Sequence, residues 1–175
     1  VLVNNAGIAQ RDMAVDVTEE HWNRVIGTNL TGVWAVAQEA ARRMVKGEVG
    51  GSIVSIASLL SKRVSPGIMP YAVSKAGVAH MTRALAVEWA QHGIRVNAIA
   101  PGVVDGEHWD GVDALFAELE NKNLGQKKQE VGAAVPFGRM GKAEDLAGMA
   151  IFLASKEADY IVAQTYNVDG GQWMS

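Results

Sequence analysis

Tyr71 and Lys75 stand four residues apart, and Ser58 lies thirteen residues upstream of the tyrosine. Four residues is about one helical turn, so the phenol and the ammonium fall on one helix face. An ammonium beside a phenol favours the phenolate and lowers its pKa from about 10 toward neutrality. A phenol tuned in this way takes a proton from an alcohol and returns it to a carbonyl. Ser58 closes the apolar run from Ser52, where its hydroxyl can hydrogen-bond the oxygen whose charge changes during such a reaction. The plainer account is three unrelated polar residues. Tyr-x-x-x-Lys arises by chance in roughly a third of chains this long, so the pair decides nothing by itself.

The elements that must hold these residues follow from periodicity. Residues 1–4 form a short apolar strand. Thr18 reads as an N-cap, with Glu19 and Glu20 in the first turn, where the helix dipole favours anions. Apolar residues from Trp22 to Met44 recur at helical spacing, predicting one long helix over 19–45. Residues 53–56 predict a strand, and 71–91 a second long helix ending at His92-Gly93. Residues 94–100 are almost wholly apolar, as a strand covered on both faces should be. A helix over 144–155 and a strand over 165–168 complete the pattern. This alternation predicts an α/β fold, a parallel sheet with helices on both faces. Such sheets bind ligands beyond the carboxyl ends of their strands, where Asn4 to Gly7, Ser58 and Pro101-Gly102 fall.

The motifs come in a definite order. Val1-Leu2-Val3-Asn4-Asn5-Ala6-Gly7 opens the chain, and Asn29 follows inside Gly27-Thr28-Asn29-Leu30-Thr31-Gly32. Then come Ser58, the Tyr71 to Lys75 turn, Asn97-Ala98-Ile99-Ala100-Pro101-Gly102 and Val168-Asp169-Gly170-Gly171. In this order and at these separations they resemble the short-chain dehydrogenase/reductase family, over essentially all 175 residues. The resemblance implies the C-terminal portion of a doubly wound Rossmann fold, with residues 1–175 as a single partial domain. It implies NAD(P)-dependent interconversion of a secondary alcohol and a ketone. Catalytic roles fall on Asn29, Ser58, Tyr71 and Lys75, and Tyr71 and Lys75 also touch the cofactor. Under the resemblance the backbone carbonyl of Asn29 holds a water that links Lys75 to a proton relay. Its plainer reading is a buried asparagine at a helix kink. Asn4, Ala6 and Gly7 resemble the segment under the adenosine side of the cofactor; Pro101, Gly102 and Val104 resemble the backbone that contacts the nicotinamide. A tight turn and a strand ended by Pro-Gly are the plainer accounts.

Family members open with a strand, a glycine-rich turn and a helix, and the turn holds the cofactor pyrophosphate. No such turn is seen here, and Val1 falls in what resembles the fourth strand. The expectation is an N-terminally truncated chain, short by roughly 70–90 residues at 30-plus per βαβ unit. The residue that separates NAD from NADP would lie in that part, so NAD is expected and NADP stays open. Many members also carry Thr where this chain has Gly106, so the cofactor interaction there falls to backbone, to Asp105 or elsewhere.

Substrate choice is assigned to the loop after Gly102. Glu107 and His108 can hydrogen-bond the hydroxyls of a polyol, and Trp109 can cover its C–H face. A solvated lid is the plainer account. From Ile99 to Ser175 the chain resembles the polyol (sorbitol, L-iditol 2-) dehydrogenases of the family. Its first hundred residues lean toward the 3-oxoacyl-carrier-protein reductase style. Three readings stay open: a polyol dehydrogenase, an oxoacyl-type carbonyl reductase, or an inactive fragment.

A net charge of −3 gives no hint of nucleic-acid or anionic-membrane binding, and no run approaches a membrane span. Zero cysteines exclude disulfides and fit a reducing cytoplasm. The four histidines show no metal-ligand spacing. His21 and His92 are expected to be exposed, and His80 to pack within its helix. The surplus apolar surface of the two long helices, including Trp22, Trp34 and Trp89, together with the resemblance, implies a homodimer or homotetramer.

Overall fold

Four apolar runs form one parallel sheet in chain order: β1 (Leu2–Asn4), β2 (Gly51–Ile56), β3 (Ile94–Pro101) and β4 (Thr165–Val168). The computed structural model describes residues 1–119 and 121–174, with the side chains at 108, 115, 116, 118 and 119 outside that description. Asn4 pairs with Ser55, Val54 with Asn97, and Ile99 with Tyr166, which brings the carboxyl ends of the strands to one edge. Parallel pairing requires a crossover between successive strands, and each crossover here carries helices.

The strands are covered on both faces, and their alternation shows how. Ile53, Val96, Ala98 and Ala100 pack with residues of α2 (Val33–Lys46) and α3 (Met69–Trp89). Val54 and Ile99 face the opposite side, against Leu153 of α6 (Ala143–Ala154). Each fully buried Val, Leu or Ile side chain contributes about 1.5–3 kcal/mol by leaving water. The two-sided cover explains why β3 reads as almost wholly apolar. Its one amide, Asn97, is satisfied by the carbonyl of Ile161 and the N–H of Gln164 at 2.8 and 3.0 Å.

The helix predicted over 19–45 is not continuous. It divides into α1 (Glu19–Ile26), a wide π-type turn over Gly27–Gly32, and α2. Thr18 caps α1 by accepting a hydrogen bond from His21 N–H at 3.1 Å. The interruption sits on the fully buried Asn29 between two glycines, and π-type bulges of this sort break the regular ladder at a defined point. The second long helix, α3, starts at Met69, two residues ahead of the expected start, because Pro70 suits the first turn. It ends at Trp89 and passes into a 3₁₀ turn, Ala90–His92, which Gly93 closes in the left-handed region at φ 67°.

The stretch after Gly102, read from sequence as a loop, contains two helices: α4 (Glu107–Leu119) and α5 (Gln126–Ala133). The buried carboxylate of Asp113 joins them by accepting from Gly125 N–H and from Lys128 N–H, the latter at 3.0 Å. Lys128 in turn ion-pairs with Asp105 at 2.7 Å and with Asp110. Among the described residues, no helix is long and apolar enough to cross a membrane.

Candidate active site

Ser58 sits just past the end of β2 and caps a short 3₁₀ turn, Leu59–Ser61, its oxygen accepting Leu60 N–H at 3.1 Å. Tyr71 lies in the first turn of α3, half-buried, with the Ser58 hydroxyl near enough to act on its ionisation. Lys75 follows one turn later and is buried. Its ammonium lies 5.6 Å from the centroid of the Tyr71 ring and donates to the carbonyl of Ile56 at 2.7 Å. The exit of β2 and the start of α3 thus bring hydroxyl, phenol and ammonium together.

The electrostatics differ from the expectation drawn from spacing. Burial pushes the Tyr71 phenol up, and the Ser58 hydroxyl pulls against it. The expected lowering toward neutrality is not found, because the ammonium is turned to the Ile56 carbonyl and is itself stripped of water. Burial brings Lys75 down from 10.5 to about 8. The desolvation of each charged form outweighs their mutual attraction here.

Asn29 is tied to this group through its side chain. Its Oδ1 accepts Ile8 N–H at 2.8 Å, and its Nδ2 donates to Ile8 C=O at 2.8 Å and to Ser74 Oγ at 3.1 Å. Ser74 Oγ donates onward to Tyr71 C=O at 2.7 Å. One amide therefore locks the segment after β1 to the turn of α3 that carries Tyr71 and Lys75. Sequence reading missed Ser74; a serine inside an apolar helix between two singled-out residues was the available signal. A Cβ on Gly7 would lie 3.4 Å from Lys75 Nζ and 3.5 Å from Asn29 Oδ1, so the bare backbone of residue 7 borders both. Asn4 is buried and donates to Val33 C=O at 3.3 Å, and Ala6 is exposed beyond it.

Pro101 ends β3, and Gly102 and Val104 lead away from the same edge of the sheet. Val104 forms a parallel bridge with Gly141. Glu107 and Trp109 stand in the first turn of α4, exposed and half-buried respectively; the side chain of His108 lies outside the described residues. Asp105, a candidate to stand in for the threonine hydroxyl that Gly106 does not supply, is instead engaged by Lys128, which holds its carboxyl below the usual range. His21 is half-buried against Asp12 at 3.0 Å, where exposure was expected, and His80 is exposed, where packing was expected. The cause is local: the segment before α1 folds back over His21, whereas His80 lies on the outer face of α3. Among the described residues, no cluster of three or more His, Asp or Glu is placed to hold a metal ion.

The sequence profile described as enoyl-(acyl carrier protein) reductase matches residues 1–172. A sorbitol dehydrogenase of Cereibacter sphaeroides is 55% identical over the whole chain, which covers 68% of that relative. A galactitol 2-dehydrogenase of Agrobacterium fabrum is 46% identical, again over the whole chain and 68% of the relative. A Beutenbergia cavernae protein described as an NAD(P)-dependent gluconate 5-dehydrogenase, solved with NADP at low occupancy, superposes with a TM-score of 0.86. It is 40% identical, with 97% of this chain and 64% of that one covered. The chain thus spans about two thirds of the length of the proteins it matches. A profile match over nearly every residue, together with relatives at this identity, shows that the chain belongs to the short-chain dehydrogenase/reductase family.

Proposed function

We propose that this chain carries the catalytic half of an NAD(P)-dependent dehydrogenase that oxidises a secondary alcohol of a polyol, such as sorbitol, to a ketone. The meeting of Ser58, Tyr71 and Lys75 at the exit of β2 carries this reading. The residues present fit a nicotinamide nucleotide. An ammonium has three donors, and one of those on Lys75 is engaged by Ile56, which leaves two for the hydroxyls of a ribose. Gly7 brings side-chain-free backbone beside that ammonium. Tyr71 and Lys75 would hold the nicotinamide ribose; Asn4, Ala6 and Gly7 would lie toward the adenosine side, and Pro101, Gly102 and Val104 toward the nicotinamide. When bound, the oxidised cofactor supplies a hydride acceptor and a positive ring charge.

The chain's own residues then divide the proton work. Tyr71 Oη, as the phenolate, takes the proton of the substrate hydroxyl, with the Ser58 hydroxyl beside it. Ser58 Oγ, freed to rotate its hydrogen, donates to that oxygen as its charge changes. The Lys75 ammonium, anchored on the Ile56 carbonyl, would hold the ribose, and Asn29 holds the α3 turn that positions Tyr71 and Lys75, with its backbone carbonyl the proposed station of a relay water. Glu107, His108 and Trp109 are the proposed polyol contacts.

Identity favours polyols: 55% and 46% to the sorbitol and galactitol enzymes, against 40% to a 3-oxoacyl-carrier-protein reductase of Chlamydia pneumoniae. We place the enzyme in the cytoplasm as a homodimer or homotetramer. The groove between α2 and α3, where Trp34, Val45, Leu85 and Trp89 stand among polar and charged residues, is the surface expected to pair. The 175-residue chain alone is expected to hold NAD weakly and to be inactive. Turnover of the whole enzyme on hexitols and on 3-oxoacyl thioesters, with NAD and NADP, tests the reading. Polyol oxidation supports it. Activity confined to the thioesters overturns the substrate, and activity on neither overturns the reaction.

A further inference from the structure

The last turn of the chain presses on the exit of β3. Gln172 Oε1 accepts Val103 N–H at 2.8 Å. A Cβ on Gly102 would lie 2.3 Å from that same oxygen and 2.9 Å from Asp169 Cα. Gly102 is therefore glycine because the C-terminal turn occupies the space beside it. Gly102 N–H also donates to Val168 C=O at 3.1 Å, so two consecutive amides of this segment are held by the C-terminal part of the chain.

The turn is itself fixed. Asp169 accepts Gly171 N–H at 2.9 Å and Trp173 N–H at 3.0 Å. Gly170 and Gly171 take φ of 64° and 87°, backbone that side chains disfavour. Asn167 accepts from Lys62 Nζ at 2.7 Å and donates to Trp173 C=O at 3.4 Å. Lys62 directly follows the turn capped by Ser58. One short C-terminal segment thus ties the exit of β2, where the reacting groups meet, to the exit of β3.

We infer that Gln172 is a positioning residue, whose side-chain carbonyl sets the backbone of Gly102 to Val104 for the nicotinamide half of the cofactor. The inference rests on the reading of Pro101, Gly102 and Val104 as the nicotinamide-side contact. Gln172→Ala leaves Val103 N–H without its partner and opens space beside Gly102, so the segment relaxes. Gln172→Glu keeps a carbonyl-type acceptor at the same reach.

The test uses the whole enzyme and two probes, NADH and ADP-ribose, the second lacking the nicotinamide. Gln172→Ala is expected to weaken NADH about tenfold, the loss of one ordinary hydrogen bond, and to leave ADP-ribose affinity unchanged. Gln172→Glu is expected to restore NADH affinity. A purely structural role would shift melting temperature while moving both ligands together or neither. If Gln172→Ala does not fold, Gln172→Asn, which withdraws the amide by one methylene, must show the same split. Equal weakening of both ligands, or unchanged NADH binding, overturns the inference while leaving the dehydrogenase reading standing. Wild-type enzyme that binds neither ligand overturns both.

Discussion

Lys75→Met separates the cost of burying a charge from the use made of it. The ammonium is almost fully buried, and burial brings its pKa from 10.5 to about 8. At about 1.4 kcal/mol per tenfold in protonation, the charged form destabilises the fold by about 3 kcal/mol. The sign follows from proton counting. Between pH 8 and 10.5 the unfolded chain binds the proton that the folded chain has released, so stability rises with pH in that window. The penalty is fully present below pH 8 and gone above 10.5. Integrated from pH 7 to pH 9.5, the rise is about 2 kcal/mol. Lys75→Met lacks the titrating group and must lack the rise. At pH 7 the variant loses the hydrogen bond to Ile56 but also the buried charge, so its net stability change should be small. Urea unfolding of both proteins, at fixed protein concentration and at the two pH values, gives the comparison. Parallel pH dependences would refute the account of a destabilising charge held in place for chemistry.

Asn29→Ala should cost about 2–4 kcal/mol, because two backbone groups of Ile8 and the Ser74 hydroxyl lose a buried partner; a loss below about 1 kcal/mol in urea unfolding would contradict the network. Asp113→Ala removes the acceptor shared by Gly125 and Lys128, so limited proteolysis should move into the connection between α4 and α5; an unchanged cleavage pattern would show that the helices hold without it. Sedimentation of the whole enzyme at micromolar concentration should show a dimer or tetramer, and Trp34→Glu should shift it toward monomer, since Trp34 is 44% exposed in the groove between α2 and α3. A monodisperse wild-type monomer would rule out this groove as a pairing surface.

The strands and long helices were legible because burial imprints a pattern on the sequence: near-continuous apolarity in β3, and helical spacing from Trp22 to Met44. The paired helices α4 and α5 were not. Gly106 and Gly111, with a run of carboxylates, read locally as a loop, and what joins α4 to α5 is a tertiary contact, Asp113 reaching the start of α5. The break at Asn29 left a trace, a buried amide between glycines, but its form depends on partners in Ile8 and Ser74 that spacing does not display. Within the site, Tyr71, Lys75 and Ser58 could be named from their separations taken together with the order of the motifs around them. The direction of the phenol's shift could not, because it depends on how deeply the ring is buried and on which way the ammonium turns. Gln172 and Lys62 act across 69 and 105 residues, separations with no local signature.

The central claim is that Tyr71 moves the substrate proton. Polyol oxidation by the whole enzyme, measured for wild type, Tyr71→Phe and Ser58→Ala at saturating cofactor, tests it most directly. Removing the phenolic hydroxyl should lower kcat by about 10²–10⁴-fold or more, the usual cost of losing a general acid/base. Ser58→Ala should cost less, and the binding of NADH should survive in that variant. Turnover in Tyr71→Phe within a few-fold of wild type would contradict the account.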